Sequence, residues 1–426
     1  MHETYHWNCS VMRVLMFGWE FPPYRAGGLA TATLGLVKGL VQRGVGVTLV
    51  VPFPVTARSA EGARLVSATE IAERFSIVRI DSPLVAYTGA ADYLFELKSV
   101  ATSGPMPAPA AVYGRDLMTE VDRFATVAAH IAATEPHDVI DTHDWITFAA
   151  GLRARGASAK PLIAHIHATE YDRAGDGANP AILAREWEGL HGADRIIANS
   201  HRLARRVTDQ FHVSGDRVDV IHWGVDGIRV AVDEAHASDR LLGNAHPVLL
   251  FIGRVTWQKG PRYFVDVARR VADYFPNARF VVVGEGDALP DMVRYAADVG
   301  IGEQILFAGG VEGPEVDRAY RMADVCVMPS VSEPFGLVAL ESLRNGTPCI
   351  VPRESGVAEV LENVFKIDFW DIEEMTNTIV ALARYPALKD TIREQGLAEL
   401  DSPRLGLDEP ARRTEDVYRR VVNTHG

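Results

Sequence analysis

Short apolar runs alternate with longer amphipathic stretches along most of the chain. The run at residues 248–253, Val-Leu-Leu-Phe-Ile-Gly, is typical and indicates a strand buried on both faces. The stretch from Leu29 to Leu40 has helical spacing and ends at Gly44. Strands that alternate with helices in this way predict an α/β fold with parallel sheets. The predicted strands cover residues 13–18, 47–51, 137–145, 161–167, 194–200, 218–226, 248–253, 280–284, 305–309, 325–328 and 348–351.

The length of the chain predicts two domains of ordinary size, since it has 426 residues of which 47% are hydrophobic. We place an N-terminal domain at residues 1–230 and a second domain at residues 246–405. The charged, irregular residues 227–245 between them fit a hinge. Residues 406–426 are expected to form a C-terminal helix.

Composition excludes some classes of function. The net charge of -13 argues against nucleic acid as a partner. No run of about eighteen apolar residues is present, so we expect no membrane span, and the first residues have no apolar stretch of signal-peptide length. Three scattered cysteines, Cys9, Cys326 and Cys349, favour a reducing compartment and hence a cytoplasmic protein.

The chain is predicted to pass from strand to helix within residues 329–341, which read Pro-Ser-Val-Ser-Glu-Pro-Phe-Gly-Leu-Val-Ala-Leu-Glu. Ser332 or Glu333 could cap the helix, and Pro334 suits its first position. We therefore expect the helix to start at Pro334.

Such a start would leave the N–H groups of Phe335, Gly336 and Leu337 unpaired at the positive end of the helix dipole, where an anion can bind. Glu333 and Glu341 flank these groups, eight positions apart. Carboxylates on both sides of an anion site suit an extended ligand with hydroxyl-rich ends, which describes a nucleotide sugar. Two glutamates alone would occur by chance, but the intervening Pro-Phe-Gly-Leu favours the functional interpretation.

Residues 329–341 resemble the Glu-seven-residues-Glu motif of the retaining GT-B glycosyltransferases, in the family of bacterial glycogen synthases and sucrose-phosphate synthases. The resemblance covers nearly the whole chain from Met12 onward. It implies the GT-B fold, with two Rossmann-like doubly wound parallel-sheet domains facing across a cleft. It also implies that the C-terminal domain binds the nucleotide sugar, that the N-terminal domain supplies the acceptor side, and that the last helix crosses back to the N-terminal domain.

Three segments of the N-terminal half carry the resemblance further. Gly27 and Gly28, in Arg-Ala-Gly-Gly-Leu, match a donor-binding glycine pair, although this chain has Arg25 where glycogen synthases have lysine. His143 and Asp144 belong to a His-Asp-Trp segment like that of glycogen synthases, which we place on the acceptor or sugar side.

His167 matches the family histidine that meets the donor sugar, and we count it as catalytic. A different chemistry remains open for the same region. His143, Asp144, His165 and His167 could bind a metal, as in a metal-dependent hydrolase. No pair at i, i+4 supports this, and our prediction is that no metal is bound.

The C-terminal half supplies two cations after its first strand. Arg254 and Lys259 lie five positions apart in a Gly-Arg-x-x-x-x-Lys-Gly pattern like that of the family. The resemblance implies that they hold the leaving diphosphate, with Gly284 in a further close-approach loop. Glu341 would then bind the ribose hydroxyls, and Glu333 the hydroxyls of the transferred sugar.

The predicted enzyme moves a hexose, glucose in the leading hypothesis, from a nucleotide diphosphate sugar to a hydroxyl of a carbohydrate acceptor. A glycogen-synthase-like reaction leads, and synthesis of a surface polysaccharide, glycolipid or small glycoside follows. Transfer should retain configuration without a covalent nucleophile, and it should need no cofactor. The metal-dependent hydrolase and a catalytically silent carbohydrate-binding protein are the alternatives from other classes. The sequence leaves the base and the oligomeric state open.

Overall fold

The computed structural model describes residues 12–21, 28–52, 59–60, 63–67, 117–225 and 246–425. The chain divides into two compact units, one formed by residues 1–221 with 407–426 and the other by residues 222–406. The predicted hinge, residues 227–245, lies outside the described residues.

Both units are parallel sheets flanked by helices, which confirms the predicted α/β class. Numbered along the chain, the strands are β1 Arg13–Phe17, β2 Gly46–Val51, β3 Ser59–Ala60, β4 Ala63–Ser67, β5 Val139–His143, β6 Leu162–Ile166, β7 Arg195–Ala198, β8 Val218–Val220, β9 Val248–Ile252, β10 Arg279–Val283, β11 Ile305–Gly309, β12 Val325–Val327, β13 Cys349–Val351 and β14 Phe365–Lys366. The helices are α1 Gly28–Gln42, α2 Leu117–Thr134, α3 Trp145–Ser158, α4 Glu170–Ala174, α5 Pro180–Gly192, α6 His201–Phe211, α7 Pro261–Tyr274, α8 Leu289–Asp298, α9 Pro314–Met322, α10 Leu337–Arg344, α11 Ile372–Arg384, α12 Pro386–Glu399 and α13 Asp408–His425.

The N-terminal unit has an eight-stranded sheet in the order β3-β4-β2-β1-β5-β6-β7-β8. Its strands pair in parallel except for β3 with β4, which are antiparallel. Strand β5 lies near the centre, and His143 at its end pairs in register with His165 of β6. This register brings polar side chains from two neighbouring strands to one edge of the sheet.

The C-terminal unit has a six-stranded parallel sheet in the order β11-β10-β9-β12-β13-β14. Because the order reverses between β9 and β12, the loops after these two strands leave the same edge of the sheet side by side. In open α/β sheets a ligand binds at such a switch point. The loops concerned contain Arg254, Lys259 and Glu333.

Local signals explain most helix boundaries. Thr169 and Asp172 form a capping box at the start of α4. The Ser200 hydroxyl accepts the N–H of Leu203 at the start of α6. After β13, residues Val357–Glu359 form only a 3-10 turn.

The last helix, α13, packs against α1 within the N-terminal unit. Arg43 of α1 forms ion pairs with Asp408 at 2.9 Å and with Glu415 at 2.8 Å. Among the described residues, no helix is both long and apolar enough to cross a membrane.

Candidate active site

The helix that follows β12 begins later than predicted. Helix α10 starts at Leu337, with Gly336 as its N-cap at φ 115°, so the expected start at Pro334 was wrong. The carbonyl of Glu333 accepts the N–H of Gly356 at 3.1 Å, and that of Phe335 accepts the N–H of Val357 at 2.7 Å. These bonds hold residues 333–335 as a loop, which a proline tolerates as well as a first helical turn.

The N–H groups at the helix start therefore shift along the chain. In the part of the chain that the structure describes, the N–H groups of Leu337 and Val338 have no acceptor. The carbonyl of Gly336 accepts the N–H of Ala339 at 3.1 Å. The predicted anion site thus keeps the N–H groups of Phe335, Gly336 and Leu337, none of which has an acceptor among the described residues, and gains that of Val338.

Lys259 and Glu333 are in direct contact. Lys259 Nζ lies 2.7 Å from Glu333 Oε2, and the Ser330 hydroxyl donates to the same oxygen at 3.0 Å. Glu333 is 5% exposed. The lysine predicted to bind diphosphate and the glutamate predicted to bind the sugar are therefore neighbours.

The loop after β9 reaches Glu333 because Gly260 has no side chain. Gly260 has a φ of +67°, and a Cβ on it would lie 1.9 Å from the carbonyl oxygen of Pro329. The carbonyl of buried Gln258 accepts the N–H of Val331 at 2.9 Å. These contacts fix the turn at Trp257–Lys259 against the loop that carries Glu333.

Arg254 and Gly284 lie nearby, at the ends of β9 and β10. A Cβ on Gly284 would lie 1.9 Å from the carbonyl oxygen of Gly253, so the close approach at Gly284 is to the chain itself. Arg254 follows Gly253 and is partly buried. Both residues lie beside the loop of Lys259, and their roles toward a ligand remain predictions.

Glu341 is positioned by a residue that the sequence did not indicate. The hydroxyl of Tyr320, which is 0% exposed, donates to Glu341 Oε2 at 2.9 Å. Burial and the neighbouring carboxylate raise the pKa of Tyr320, so it stays a phenol and a donor. Glu333 precedes the helix, and Glu341 lies on the second turn of α10.

In the N-terminal unit the structure brings His143 and His167 together. His143 Nδ1 lies 2.9 Å from His167 Nε2, and the ring centroids are 5.1 Å apart with the rings parallel within 4°. The two nitrogens thus point at each other along the line between the rings, as in an N–H···N hydrogen bond. His143 is completely buried, and His167 is partly buried with its Nδ1 atom out of contact with solvent.

Asp144 supports the backbone beneath His167. It is 2% exposed and has a φ of 61°, a strained value for a residue other than glycine. Its Oδ1 accepts the N–H of His167 at 2.7 Å, and its Oδ2 accepts Arg173 Nη2 at 3.1 Å. The side chain predicted to face the sugar is therefore directed into the protein.

A buried ion-pair network extends from Asp144. Arg173 also pairs with Glu186 at 3.1 Å and Glu170 at 3.8 Å, and Glu186 is 0% exposed. Burial raises the pKa of both glutamates, although the positive charge of Arg173 acts to lower it. This network, which no sequence motif indicated, fixes the segment that follows His167.

Comparison with known proteins agrees with this geometry. Residues 233–395 match the family described as Glycosyl transferases group 1, and residues 26–227 match Glycosyltransferase Family 4. Together the two matches cover nearly all of residues 26–395. This chain is a family 4 glycosyltransferase with the GT-B fold.

Relatives of this glycosyltransferase extend over most of its length. An uncharacterized glycosyltransferase of Methanocaldococcus jannaschii is 28% identical over 361 residues, which cover 83% of each chain. The D-inositol 3-phosphate glycosyltransferase of Mycobacterium sp. strain KMS is 32% identical over 292 residues, covering 64% of this chain and 66% of the relative. The structure of sucrose-phosphate synthase from Thermosynechococcus elongatus superposes with a TM-score of 0.73 at 18% identity, covering 97% of this chain and 100% of that one.

Three histidines of this glycosyltransferase lie where the alternative hypothesis of a metal site placed its ligands. One nitrogen from each of His143, His165 and His167 lies within 4.8 Å of the others. Tetrahedral zinc, with bonds of about 2.0–2.1 Å, separates its ligand nitrogens by about 3.3 Å. The facing nitrogens of His143 and His167 are closer, at 2.9 Å, and each points at the other. The arrangement fits a shared proton better than a shared metal.

Of the two adjacent glycines predicted to bind the donor, the structure describes only Gly28. Gly28 begins α1, and an added Cβ there would meet none of the described residues within 4 Å, so its role toward a ligand stays a prediction. Gly27 and Arg25 lie outside the described residues.

Proposed function

We propose that this glycosyltransferase is a retaining hexosyltransferase that uses a nucleotide diphosphate sugar, with glucose as the transferred sugar. The contact between Lys259 and Glu333 carries the proposal, because it joins the two segments of the C-terminal unit that resemble the family motifs. One oxygen joins the sugar to the diphosphate in such a donor. Groups that hold the two parts must therefore be neighbours, as this cation and carboxylate are.

In the proposed reaction, negative charge grows on the leaving diphosphate. Lys259, Arg254 and the N–H groups of Leu337 and Val338 stabilise that charge, which is the kind of preorganised electrostatics that dominates many enzymes. Two fixed cations and a helix start make a metal unnecessary for this role. Glu341, oriented by Tyr320, binds the ribose, and His167 contacts the transferred sugar.

Retention of configuration is proposed on the resemblance to the retaining family, and none of the proposed groups is a suitable covalent nucleophile. Glu333 Oε2 already accepts from Lys259 and Ser330, which makes it a poor nucleophile. We therefore propose attack by the acceptor on the face that the diphosphate leaves, with the leaving phosphate taking the acceptor's proton.

The acceptor defines two candidate reactions. The leading reaction is transfer to a carbohydrate such as an α-glucan, because the chain resembles glycogen synthases. The match to D-inositol 3-phosphate glycosyltransferases favours a second, in which the acceptor is a small phosphorylated polyol.

A cytoplasmic location is proposed on separate grounds. The thiols of Cys326 and Cys349 are free although the two residues are paired on neighbouring strands. Free thiols are typical of a reducing compartment.

A thermal-shift screen of UDP-, ADP- and GDP-linked glucose tests the donor, since a bound donor raises the unfolding temperature by mass action. The stabilising donor is then incubated with an α-glucan oligosaccharide or with inositol phosphate. Proton NMR of the product should show the α-anomer from an α-linked donor. A β-anomer would contradict retention, and stabilisation by none of the nucleotide sugars would contradict the donor class.

A further inference from the structure

A buried carboxylate lies behind the histidine pair of the N-terminal unit. Asp141 of β5 is 0% exposed, and its Oδ2 accepts the hydroxyl of Tyr418 from α13. Tyr418 is also completely buried and lies 277 residues away in the sequence. The last helix of the chain thus places a hydroxyl at the floor of the histidine cluster.

Asp141 faces two ring nitrogens. Its Oδ2 lies 3.7 Å from His143 Nε2 and 3.4 Å from His165 Nε2. Neither nitrogen has a hydrogen-bond partner among the residues that the structure describes. Both stand close enough to Asp141 to sense its charge, since all these groups are removed from water.

His143 connects this carboxylate to His167. A neutral imidazole has one N–H and one bare nitrogen. An ionised Asp141 favours the proton on His143 Nε2, which leaves Nδ1 bare to accept from His167 Nε2 across the 2.9 Å contact. His167 Nδ1 is then bare and can only accept a hydrogen bond.

Protonation of Asp141 removes the charge that favours this arrangement. His143 then shifts its proton toward Nδ1 and becomes the donor to His167 Nε2. His167 carries its proton on Nδ1 and can donate from there. The state of Asp141 thereby determines whether Nδ1 of His167, which is itself buried, can donate or only accept a hydrogen bond.

We propose that Asp141 and Tyr418 are positioning residues that set, through His143, which ring nitrogen of His167 carries the proton. The consequence for catalysis rests on the proposed function, in which His167 contacts the transferred sugar. The tautomer relay itself needs only the geometry of the N-terminal unit.

The relay should respond to pH in a known direction. Burial raises the pKa of Asp141 to about 8, while the hydrogen bond from Tyr418 lowers it. Burial lowers the pKa of His143 and His165 well below the usual value and that of His167 to about 3. Burial raises the pKa of Tyr418, so the phenol stays protonated.

Of the titratable groups that face Asp141 in the described residues, which are Tyr418, His143 and His165, none therefore titrates near pH 8. A tautomer change of His167 at that pH would report Asp141 itself.

Histidine-labelled full-length protein, followed by nitrogen-15 NMR between about pH 6 and pH 9.5, tests the relay. We expect His167 to move from an Nδ1–H to an Nε2–H tautomer with a midpoint near pH 8. In Asp141→Asn the change should disappear, since an amide does not titrate. In Tyr418→Phe the midpoint should rise, because the carboxylate loses a hydrogen bond that stabilises its charged form.

Tyr295→Phe is the matched control. It removes another hydroxyl donated to an aspartate, Asp266 at 2.5 Å, in the C-terminal unit. This variant should leave the midpoint unchanged.

Each outcome has one meaning. A wild-type His167 whose tautomer is constant over this range contradicts the relay, whether or not a variant folds. A change that persists in Asp141→Asn, or a midpoint that falls in Tyr418→Phe, also contradicts it. A tautomer change without turnover of any nucleotide sugar would leave the relay intact and contradict the proposed function. Turnover of a nucleotide sugar with a constant His167 tautomer would support the proposed function and contradict the relay.

Discussion

Lys259 Nζ lies 2.7 Å from Glu333 Oε2, although the two residues are 74 positions apart. The contact joins the loops after β9 and β12, where the order of the sheet reverses. It places a cation beside the carboxylate and the helix start that together suit a sugar diphosphate.

Glu341→Ala should weaken the affinity for the free nucleotide diphosphate by about tenfold or more, because a charged hydrogen bond contributes roughly 1.5–3 kcal/mol. Tyr320→Phe should weaken it less, since the hydroxyl acts only by orienting Glu341. Calorimetric titration with the nucleotide identified in the screen measures both. An unaltered affinity in Glu341→Ala would show that the ribose assignment is wrong.

Gly260→Ala should lower turnover strongly, because the added Cβ would meet the Pro329 carbonyl and push the Lys259 turn away from Glu333. Gly300→Ala is its control in the same unit, since Gly300 also has a positive φ, +81°, but a Cβ there would meet no described residue within 4 Å. The control should cost about 1–2 kcal/mol of stability and leave turnover intact. Equal turnover in the two variants would contradict a role for the contact between the loops.

Arg173→Ala should destabilise the N-terminal unit by about 3–5 kcal/mol, because it leaves the carboxylates of Asp144 and Glu186 buried without their cation. Arg185→Ala removes a more exposed pair with Asp122 and should cost less than about 1 kcal/mol. Thermal unfolding measures the difference. Similar unfolding temperatures for the two variants would mean that the network does not hold the segment after His167.

Removal of divalent metal should leave turnover unchanged. The facing nitrogens of His143 and His167 are too close for zinc between them, and the proposed charge stabilisation uses Arg254 and Lys259. Turnover before and after treatment with a chelator, with elemental analysis of the purified protein, checks this. Loss of activity that zinc restores would support the hydrolase-type site that we set aside.

Local patterns were enough to predict the parallel sheets, several helices and most strands, but not the short strands β3, β4 and β14. The apolar run of residues 248–253 and the capping serine Ser200 are signals contained within a few residues, so they can be read without the fold. The start of α10 was misplaced because Pro334 fits a loop as well as a first turn. What decides between them is a pair of hydrogen bonds to Gly356 and Val357, which no local pattern contains.

Contacts between distant segments could not be predicted. The resemblance identified His143, His167, Lys259 and Glu333 one by one, but it gave no distances between them. Nothing near Asp141 in the sequence points to Tyr418, because their contact depends on α13 returning to the N-terminal unit. A buried aspartate within an apolar strand was the one signal that could have marked this position.

The turnover of Lys259→Ala with the identified nucleotide sugar tests the central claim most directly. Lys366→Ala serves as the control, since it removes a lysine that pairs with Glu362 at 3.6 Å elsewhere in the same unit. We predict that Lys259→Ala lowers turnover by about 100- to 1,000-fold, as expected for loss of a group that stabilises developing charge, while the control keeps the wild-type rate. A folded Lys259→Ala protein with wild-type turnover would contradict the account.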